Sequence, residues 1–339
     1  MKRNLFLLIA VAAALSACSK TETIGTQDKA IQFTSAYIGN AVESKAVDMI
    51  EQANINEFIV YGGYNDMTHV FNGVSVTRNA DNWTYDVTRY WVAGKTYKFA
   101  AYAPSAAGSS GTITPDFGTG ALNFTDYTSD PSNQNDLIYA TATQKTESDI
   151  SVAPAKIQFV FGHLLSMIKF TFNSGFGNDI TVTVDNLKVS GMIAQGDYEG
   201  GTWTPGSATV TEGAPFSEMS SNEAKNSTSG KTSASSVDFA VIPQTIVGSD
   251  GTGTKVAVSF NVRVQDAGGD YIIGSADAGV PLTATLPGYT WTAGYRYNYT
   301  VTIKGENVNL YPIEFGTPSV TSITDANFDG NDEVTLPTA

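Results

Sequence analysis

The feature that most constrains the fold is the alternation of apolar and polar side chains in short segments. In YRYNYTVTI, residues 295–303, aromatic and aliphatic side chains occupy the odd-numbered positions and polar ones the even-numbered positions. Successive side chains of a β-strand point to opposite faces of its sheet, so a period of two predicts a strand with one buried face. We therefore expect residues 295–303 to form a half-buried strand.

Other segments show the same alternation less regularly. In ITVTVDNLKV the apolar parity changes between Val184 and Leu187, which predicts a bulge or a strand end at Asp185-Asn186. Many short strands rich in β-branched and aromatic residues, separated by Gly, Asn and Asp turns, are typical of all-β sandwiches. The remaining segments are EFIVYGGY (57–64), YKFAAYA (97–103), IQFVF (157–161), MIKFTF (167–172), ITVTV (180–184), VDFAVI (237–242) and KVAVSFNVRV (255–264).

Chain length predicts two domains of ordinary size. The apolar stretch 157–172 passes from one to the other, so we place an N-terminal sandwich at 46–165 and a C-terminal sandwich at 166–339. The stretches 103–120 and 217–236 are rich in Gly and Ser or in polar residues, and both are predicted to be loops.

The first 17 residues read as an export signal. Met1-Lys2-Arg3 is followed by the apolar run LFLLIAVAAAL, which is too short to span a bilayer. The run ends in Leu-Ser-Ala-Cys, and Cys18 is the only cysteine of the chain. This ending resembles the bacterial lipobox, in which the cysteine becomes the diacylated first residue of the mature protein. An ordinary signal peptide with a chance cysteine is the alternative. The lipobox predicts a protein held on a membrane by acyl chains on Cys18.

The charge of the chain argues against nucleic acid as a partner. Signal removal takes two of the 19 basic residues and leaves 17 against 33 acidic ones, a net charge of −16. Proteins that bind nucleic acid carry a basic surface, which a chain of this composition lacks. An acidic surface suits a soluble domain outside the cell.

The sequence contains no motif that predicts catalysis or a cofactor. The two histidines, His69 and His163, form no metal-binding or catalytic pattern, and His163 in FVFGHLLS is best explained as a core or hinge residue. The GxSxG motif of serine hydrolases is absent as well. We therefore predict that the protein is not an enzyme and holds no cofactor.

Two further patterns suggest ligands. Asp325, Asn327 and Asp329 precede a glycine and match the first half of a calcium loop, but the twelfth position is Leu336 in place of the usual Glu. A flexible acidic tail is the alternative to a calcium site. Exposed tryptophans would point to sugar binding, yet each tryptophan lies in strand-like sequence, so core packing is the preferred interpretation. The tryptophans are Trp83, Trp91, Trp203 and Trp291.

An ordered set of motifs resembles the fimbrillin-like (minor-fimbrillin-like) lipoproteins of Bacteroidetes, the subunits of type V pili. The resemblance implies two transthyretin-like β-sandwiches with Greek-key-type connections, export as an outer-membrane lipoprotein facing outward, and assembly by strand insertion. The motifs, in chain order, are IQFTSAY, ESKAVD, INEFIVYGGY, WTYDVTRYWVAGKTYKFAAYAP, NDLIYA, IQFVFGHLLSMIKFTF, VTVDNLKVSG and DFAVIPQTI.

The resemblance also implies roles for particular segments. A protease would cut in the region of Lys45, before Ala46, and remove the leader 18–45 with its first strand at 30–38. The vacated groove would take a donor strand of another pilin subunit from a C-terminal segment such as 308–323. Stalk fimbrillins carry Arg at the cleavage position, so the alternative is an exposed loop lysine in an uncleaved anchor or tip protein. A surface glycan-binding lipoprotein, or a subunit that binds host or bacterial receptors, is the other functional hypothesis.

Overall fold

The structure is a computed structural model in which a defined set of residues is described. These are 29–34, 36–38, 55–80, 82–129, 134–148, 150, 154–177, 179–210, 222–225, 233–236, 238–305 and 313–323. Within these ranges the chain is almost entirely β-structure, which confirms the predicted all-β fold. None of the helices in these ranges has the length and apolar character needed to cross a membrane.

Short strands follow one another along the chain, and a 3-10 helix lies at Ser105–Ser109. The strands are β1 (Tyr37–Ile38), β2 (Glu57–Gly63), β3 (Phe71–Asn79), β4 (Asn82–Thr84), β5 (Thr96–Ala103), β6 (Thr112–Asp116), β7 (Ala121–Thr128), β8 (Ile138–Lys145), β9 (Val160–His163), β10 (Ser166–Ser174), β11 (Thr181–Ser190), β12 (Gln195–Glu199), β13 (Thr202–Pro205), β14 (Asn222–Lys225), β15 (Ser233–Ser235), β16 (Phe239–Val241), β17 (Thr245–Ile246), β18 (Ala257–Gln265), β19 (Tyr271–Ile273), β20 (Val280–Thr285), β21 (Tyr289–Thr290), β22 (Tyr295–Ile303) and β23 (Ser319–Ser322).

The N-terminal part is built on a seven-stranded sheet in the order β1-β9-β8-β5-β2-β3-β4. Its inner strand β2 is buried on both faces, with Phe58 and Val60 on one face and Ile59 on the other. The second face packs against a four-stranded sheet, β13-β12-β7-β6. Phe124 of β7 meets Tyr139 of β8 across that interface, with ring centroids 6.0 Å apart.

The C-terminal part is a sandwich of two further sheets. One has the order β15-β10-β22-β23 with β16 also paired to β10, and the other has the order β14-β11-β18-β19 with β20 also paired to β18. Phe172 of β10 and Phe260 of β18 meet between the sheets with ring centroids 4.9 Å apart. Burial of such large aromatic side chains contributes strongly to the stability of a sandwich core.

Strand β22 has the predicted bounds, but its burial differs from the prediction. Tyr297 and Tyr299 face the core as expected, whereas Arg296 and Asn298 on the opposite face are only 4% and 8% exposed. The prediction of one exposed face is therefore wrong for this half of the strand. The cause is a second buried layer, in which Arg296 Nε donates to Asp238 Oδ1 at 2.9 Å.

The predicted irregularity near Asp185-Asn186 is confirmed. The pairing of β11 with β18 changes register between Asp185 and Lys188, and Asn186 has φ of 53°. Asparagine tolerates this left-handed conformation better than most residues, so a bulge forms at this point of the strand.

Two of the predicted loops contain strands. The Gly- and Ser-rich stretch 103–120 includes β6, and the polar stretch 217–236 includes β14 and β15. Strand β6 lies at an edge of its sheet and contains Pro115, which an edge strand tolerates. Because β12 pairs with β7, the four-stranded sheet draws strands from both sides of residue 165. The division of the chain into two domains at this point stays a prediction.

Candidate strand-acceptor groove

The described residues of the segment 29–38 pair through their backbone with two partners that come from distant parts of the chain. On one side, the Ile31 amide donates to the Arg89 carbonyl at 2.8 Å and the Trp91 amide donates to the Lys29 carbonyl at 3.0 Å. On the other side, the segment runs parallel to residues 157–161. We call the space that this segment fills the acceptor groove. Residues 29–31 thus bond to the first partner, and the described residues from Gln32 onwards bond to the second.

The backbone bonds on the second side are equally regular. The Thr34 amide donates to the Ile157 carbonyl at 2.9 Å, and the Ile157 amide donates to the Gln32 carbonyl at 2.8 Å. Phe33 is the residue paired with Ile157. Further along, β1 continues the parallel pairing with β9, with Tyr37 opposite Val160.

The side chains of the segment alternate between core and solvent. Ile31 and Phe33 are 0% and 2% exposed, whereas Gln32 between them is exposed. Ala36 is buried as well. The segment thus supplies apolar side chains to the core of the N-terminal part, as an integral strand would.

Phe33 occupies a pocket made of four aromatic rings. It stacks on Phe159 at a centroid distance of 5.9 Å and meets the other three rings edge-on. Those three rings are Phe58 at 5.8 Å, Phe71 at 5.5 Å and Tyr85 at 5.9 Å. Edge-on and stacked aromatic pairs add stabilisation beyond the area they bury, so this pocket is the main anchor of the segment.

One wall of the groove is held by Tyr85 and Arg89. The Tyr85 hydroxyl donates to the Ile31 carbonyl at 2.5 Å. The Arg89 guanidinium lies over the rings of Phe71 and Tyr85, 4.8 and 5.4 Å from their centroids. Its Nε donates to the Val70 carbonyl at 2.6 Å. These contacts tie the wall to the end of β3, so the wall keeps its shape around the strand.

An aromatic-lined groove with backbone hydrogen-bonding partners on two walls is suited to binding an extended segment. Backbone hydrogen bonds would supply affinity, and pockets for alternate side chains would supply specificity. A segment that is joined to the rest of the domain by the connection 39–54 fills it in this structure. The described residues contain no cluster of His, Cys, Asp or Glu that could hold a metal ion. In this structure the groove holds an extended part of its own chain.

Comparison with known proteins identifies the family. The family model described as fimbrillin-like matches residues 44–320, which is most of the chain. The chain belongs to the fimbrillin-like family. This confirms the family resemblance seen in the sequence motifs. Among curated proteins, no sequence matches the chain with significance.

Solved structures share the fold of this fimbrillin-like chain. A fimbrial protein from Bacteroides vulgatus is 17% identical with a TM-score of 0.57, and the match covers 87% of this chain and 99% of that one. A candidate cell adhesion protein from Bacteroides ovatus is 13% identical with a TM-score of 0.50 over 87% of this chain and 97% of that one. The family consists of structural fimbrial and adhesion proteins.

Most sequence-predicted site residues of the fimbrillin-like chain lie outside the described residues. These are the lipidation residue Cys18, the cleavage residues Lys45 and Ala46, and the calcium candidates Asp325, Asn327 and Asp329. Each of these assignments therefore stays a prediction. The predicted first strand, residues 30–38, is largely described and pairs on both sides as set out above.

The predicted donor segment 308–323 of the fimbrillin-like chain is described from Ile313 onwards. Strand β23 pairs antiparallel with β22, and Ile313 and Phe315 are buried in the C-terminal core. The ring of Phe315 lies 5.6 Å from that of Phe170. In this structure the described part of the segment therefore packs within its own chain.

His163 and the four tryptophans lie in the core or pack against it, whereas His69 is exposed. His163 is buried and its Nδ1 lies 2.9 Å from Asp136 Oδ2. Trp91 and Trp291 are buried, and Trp203 Nε1 donates to the Leu164 carbonyl at 2.6 Å. Trp83 packs against Phe58 beside the groove, with ring centroids 4.8 Å apart. These placements confirm the preference for core packing over a sugar-stacking row.

Sequence reasoning missed the residues that shape the groove. Tyr85 and Arg89 lie in WTYDVTRYW, which is part of a family motif and for which the sequence predicted no role in a groove. A signal was present, because this stretch is aromatic without the regular alternation of a strand. Such a stretch is explained by rings that surround an inserted segment.

Proposed function

We propose that this chain is a structural, non-enzymatic subunit of a fimbria, exported as a lipoprotein and assembled by donor-strand exchange. Acyl chains on Cys18 would hold the exported chain on the outer membrane. Cleavage between Lys45 and Ala46 would then release the leader together with the strand 29–38. The observation that carries the proposal is that a segment N-terminal to residue 45 supplies Ile31 and Phe33 to the core through the acceptor groove.

Loss of that segment would leave an apolar groove with unpaired backbone groups. Binding of a new strand to such a groove would be strongly favourable, because exposed apolar surface and open strand edges promote association. The incoming strand would come from the C-terminal part of a second copy or of a related subunit. Pairing of a groove on one subunit with a strand of the next does not close on itself, so it extends into a filament.

The C-terminal donor would have to leave its own domain first. Residues 313–323 make core contacts through Ile313, Phe315 and Val320. Strand exchange is therefore coupled to the loss of these contacts, and filling of the acceptor groove would offset that cost. This coupling gives a reason for a subunit to stay monomeric until a vacated groove is available.

The proposal is tested by mass spectrometry of the N-terminus of protein isolated from its native cells, with Lys45→Ala as the test variant. Wild-type protein in assemblies is expected to begin at Ala46. The Lys45→Ala variant is expected to keep its acylated Cys18 and to remain monomeric. Lys20→Ala, which changes a lysine next to the lipid, is the matched control and is expected to assemble normally.

An acylated Cys18 on wild-type protein in the assembled fraction would overturn the cleavage step. The chain would then be an uncleaved anchor or tip protein. The buried and partly buried tryptophans give no support to the glycan-binding alternative. Binding of the assembled fimbria to receptors or glycans on host or bacterial surfaces stays a prediction.

A further inference from the structure

Ile31 is a residue of the bound strand whose backbone amide and carbonyl both bond to the wall formed by Tyr85 and Arg89. The Ile31 amide donates to the Arg89 carbonyl at 2.8 Å, and the Ile31 carbonyl accepts from the Tyr85 hydroxyl at 2.5 Å. Two residues further along, Phe33 fills the four-ring pocket. The ring of Tyr85 is a wall of that pocket, so one side chain contacts both positions.

Tyr85 is itself held in place. Its hydroxyl accepts from the Arg89 amide at 3.3 Å, and its ring meets Phe71 edge-on at 5.3 Å. The Arg89 guanidinium donates to the carbonyls of Val70 and Val87 at 2.6 and 2.7 Å. Burial raises the pKa of Tyr85 above its ordinary value, so its hydroxyl remains a donor at neutral pH.

Alternation of side chains does not by itself fix the register of a strand in the groove. A slip by one residue is excluded because it turns every buried side chain to solvent. A slip by two residues keeps the faces and the backbone bonding pattern. What distinguishes the two registers is which side chain enters the four-ring pocket, since an aromatic one fills it at Phe33 and an aliphatic one precedes it at Ile31.

We propose that the acceptor groove selects strands that carry an aliphatic residue followed, two positions later, by an aromatic residue, and that Tyr85 is the specificity-determining residue. Tyr85 ties the backbone at the first position and shapes the pocket for the third. The proposal deepens the proposed function and rests on it for the identity of the occupant, which is a segment of a second copy of this chain.

The chain carries this pattern in its predicted donor segment. Ile313-Glu314-Phe315 repeats the order of Ile31-Gln32-Phe33, and both segments place the aliphatic and the aromatic residue in a core. Phe315 contacts aromatic rings in its own domain as Phe33 does in the groove. Ile157-Gln158-Phe159 and Ile168-Lys169-Phe170 have the same pattern, but the first forms a neighbour of the groove and the second lies in β10 at the centre of the C-terminal core. Of these segments, only 313–315 lies in the predicted donor segment, so we assign it as the occupant of the groove.

Disulfide trapping in the uncleaved mature chain tests the selection of register. In a Cys18→Ser background, Gln32→Cys with Lys156→Cys reports the present register, because both positions are exposed and flank the Phe33–Ile157 pair. Gln32→Cys with Gln158→Cys reports a slip by two residues. In the present register these two Cα atoms are about 8 Å apart, too far for a disulfide.

The test variant exchanges the two anchors, Ile31→Phe with Phe33→Ile, and keeps composition and hydrophobicity constant. The first cysteine pair is expected to crosslink in the wild-type sequence and the second pair in the exchanged variant, as the displaced aromatic ring moves into the four-ring pocket. Loss of both crosslinks with an intact near-UV spectrum would show that the groove rejects the reversed order, which also supports selection. An undiminished first crosslink in the exchanged variant would overturn the proposal.

Tyr85→Phe tests the assigned residue. The Ile31 amide is expected to exchange with solvent about three- to tenfold faster, in line with the loss of one hydrogen bond. Tyr139→Phe is the matched control, since the Tyr139 hydroxyl accepts from the Leu122 amide on the other face of the sheet. Equal exchange rates of the Ile31 amide in the two variants would show that Tyr85 does not determine the specificity of the groove. Because these measurements need no cleavage or assembly, failure of assembly would count against the proposed function alone.

Discussion

The ring of Phe33 stacks on the ring of Phe159, with centroids 5.9 Å apart and planes inclined by 17°. One residue belongs to a segment that the proposed function removes, and the other belongs to the permanent wall of the groove. This contact therefore links the stability of the uncleaved chain to the affinity of the groove for its next occupant.

Phe33→Ala is expected to lower the free energy of unfolding of the uncleaved chain by about 3–5 kcal/mol, because it empties a pocket of four aromatic rings. Urea denaturation followed by fluorescence measures the change. Ile272→Ala is the control, since Ile272 is 56% exposed and its truncation should change stability by less than about 0.5 kcal/mol. A small loss for Phe33→Ala would show that the strand contributes little to the fold.

Asp238→Asn is expected to destabilise the C-terminal part by about 3–5 kcal/mol, because it leaves the buried Arg296 guanidinium without the charge of its partner. The side chains of this pair are 5% and 2% exposed, so water does not replace the lost interaction. Asp277→Asn removes the same charge from an exposed loop and should leave the unfolding midpoint unchanged. Similar midpoints for both variants would contradict this account.

Asn186→Val is expected to destabilise the bulge of β11 by about 1–2 kcal/mol, because a β-branched residue is strained at φ of 53°. Asn186→Gly should be neutral within error or slightly stabilising, since glycine adopts this conformation without a steric cost. Denaturation of the two variants side by side measures the difference. An equal loss in both would mean that the asparagine side chain, and not the backbone, holds the bulge.

Alkaline pH is expected to destabilise the chain between about pH 10 and pH 12. Burial raises the pKa of Tyr102 to about 12, and burial likewise raises that of Tyr139 to about 12. A raised folded pKa means that the protonated form stabilises the fold below pH 10, and this stability is lost as pH rises towards the folded pKa. Tyr102→Phe should therefore show a shallower decline in unfolding midpoint over this window.

The control for the alkaline experiment is Tyr271→Phe, because Tyr271 is exposed at the start of β19. Its pH profile should follow that of the wild-type chain. A decline in the Tyr102→Phe variant as steep as that of the wild type would assign the alkaline loss to other groups.

The sequence was sufficient to predict strands wherever local alternation decided the structure. The bounds of β22 and the bulge at Asn186 follow from side-chain order alone, because period and parity are local properties. Burial of Arg296 could not be predicted in this way. It depends on Asp238, a partner that the fold brings from another strand.

The candidate site shows the same limit. Residues 30–38 have the apolar content of a strand, and that prediction required only the segment itself. The groove that receives them is assembled from Phe58, Phe71, Tyr85 and Phe159, which lie on separate elements. Strand β6 was missed for a related reason, since Gly- and Ser-rich flanks conceal a short edge strand whose pairing with β7 defines it.

The mixed pairing of the segment 29–38 has a consequence for the polarity of a filament. The segment is parallel to its neighbour at 157–161 and antiparallel to its neighbour at residue 90. A strand inserted in the opposite direction would exchange these two relationships and would still have one neighbour of each kind. Backbone hydrogen bonding therefore does not determine the direction in which an inserted strand runs. In an assembly of the proposed kind, the order of the unlike anchors Ile31 and Phe33 would decide it, because a reversed strand presents the aromatic residue first. A few aromatic rings would then determine which way every subunit points.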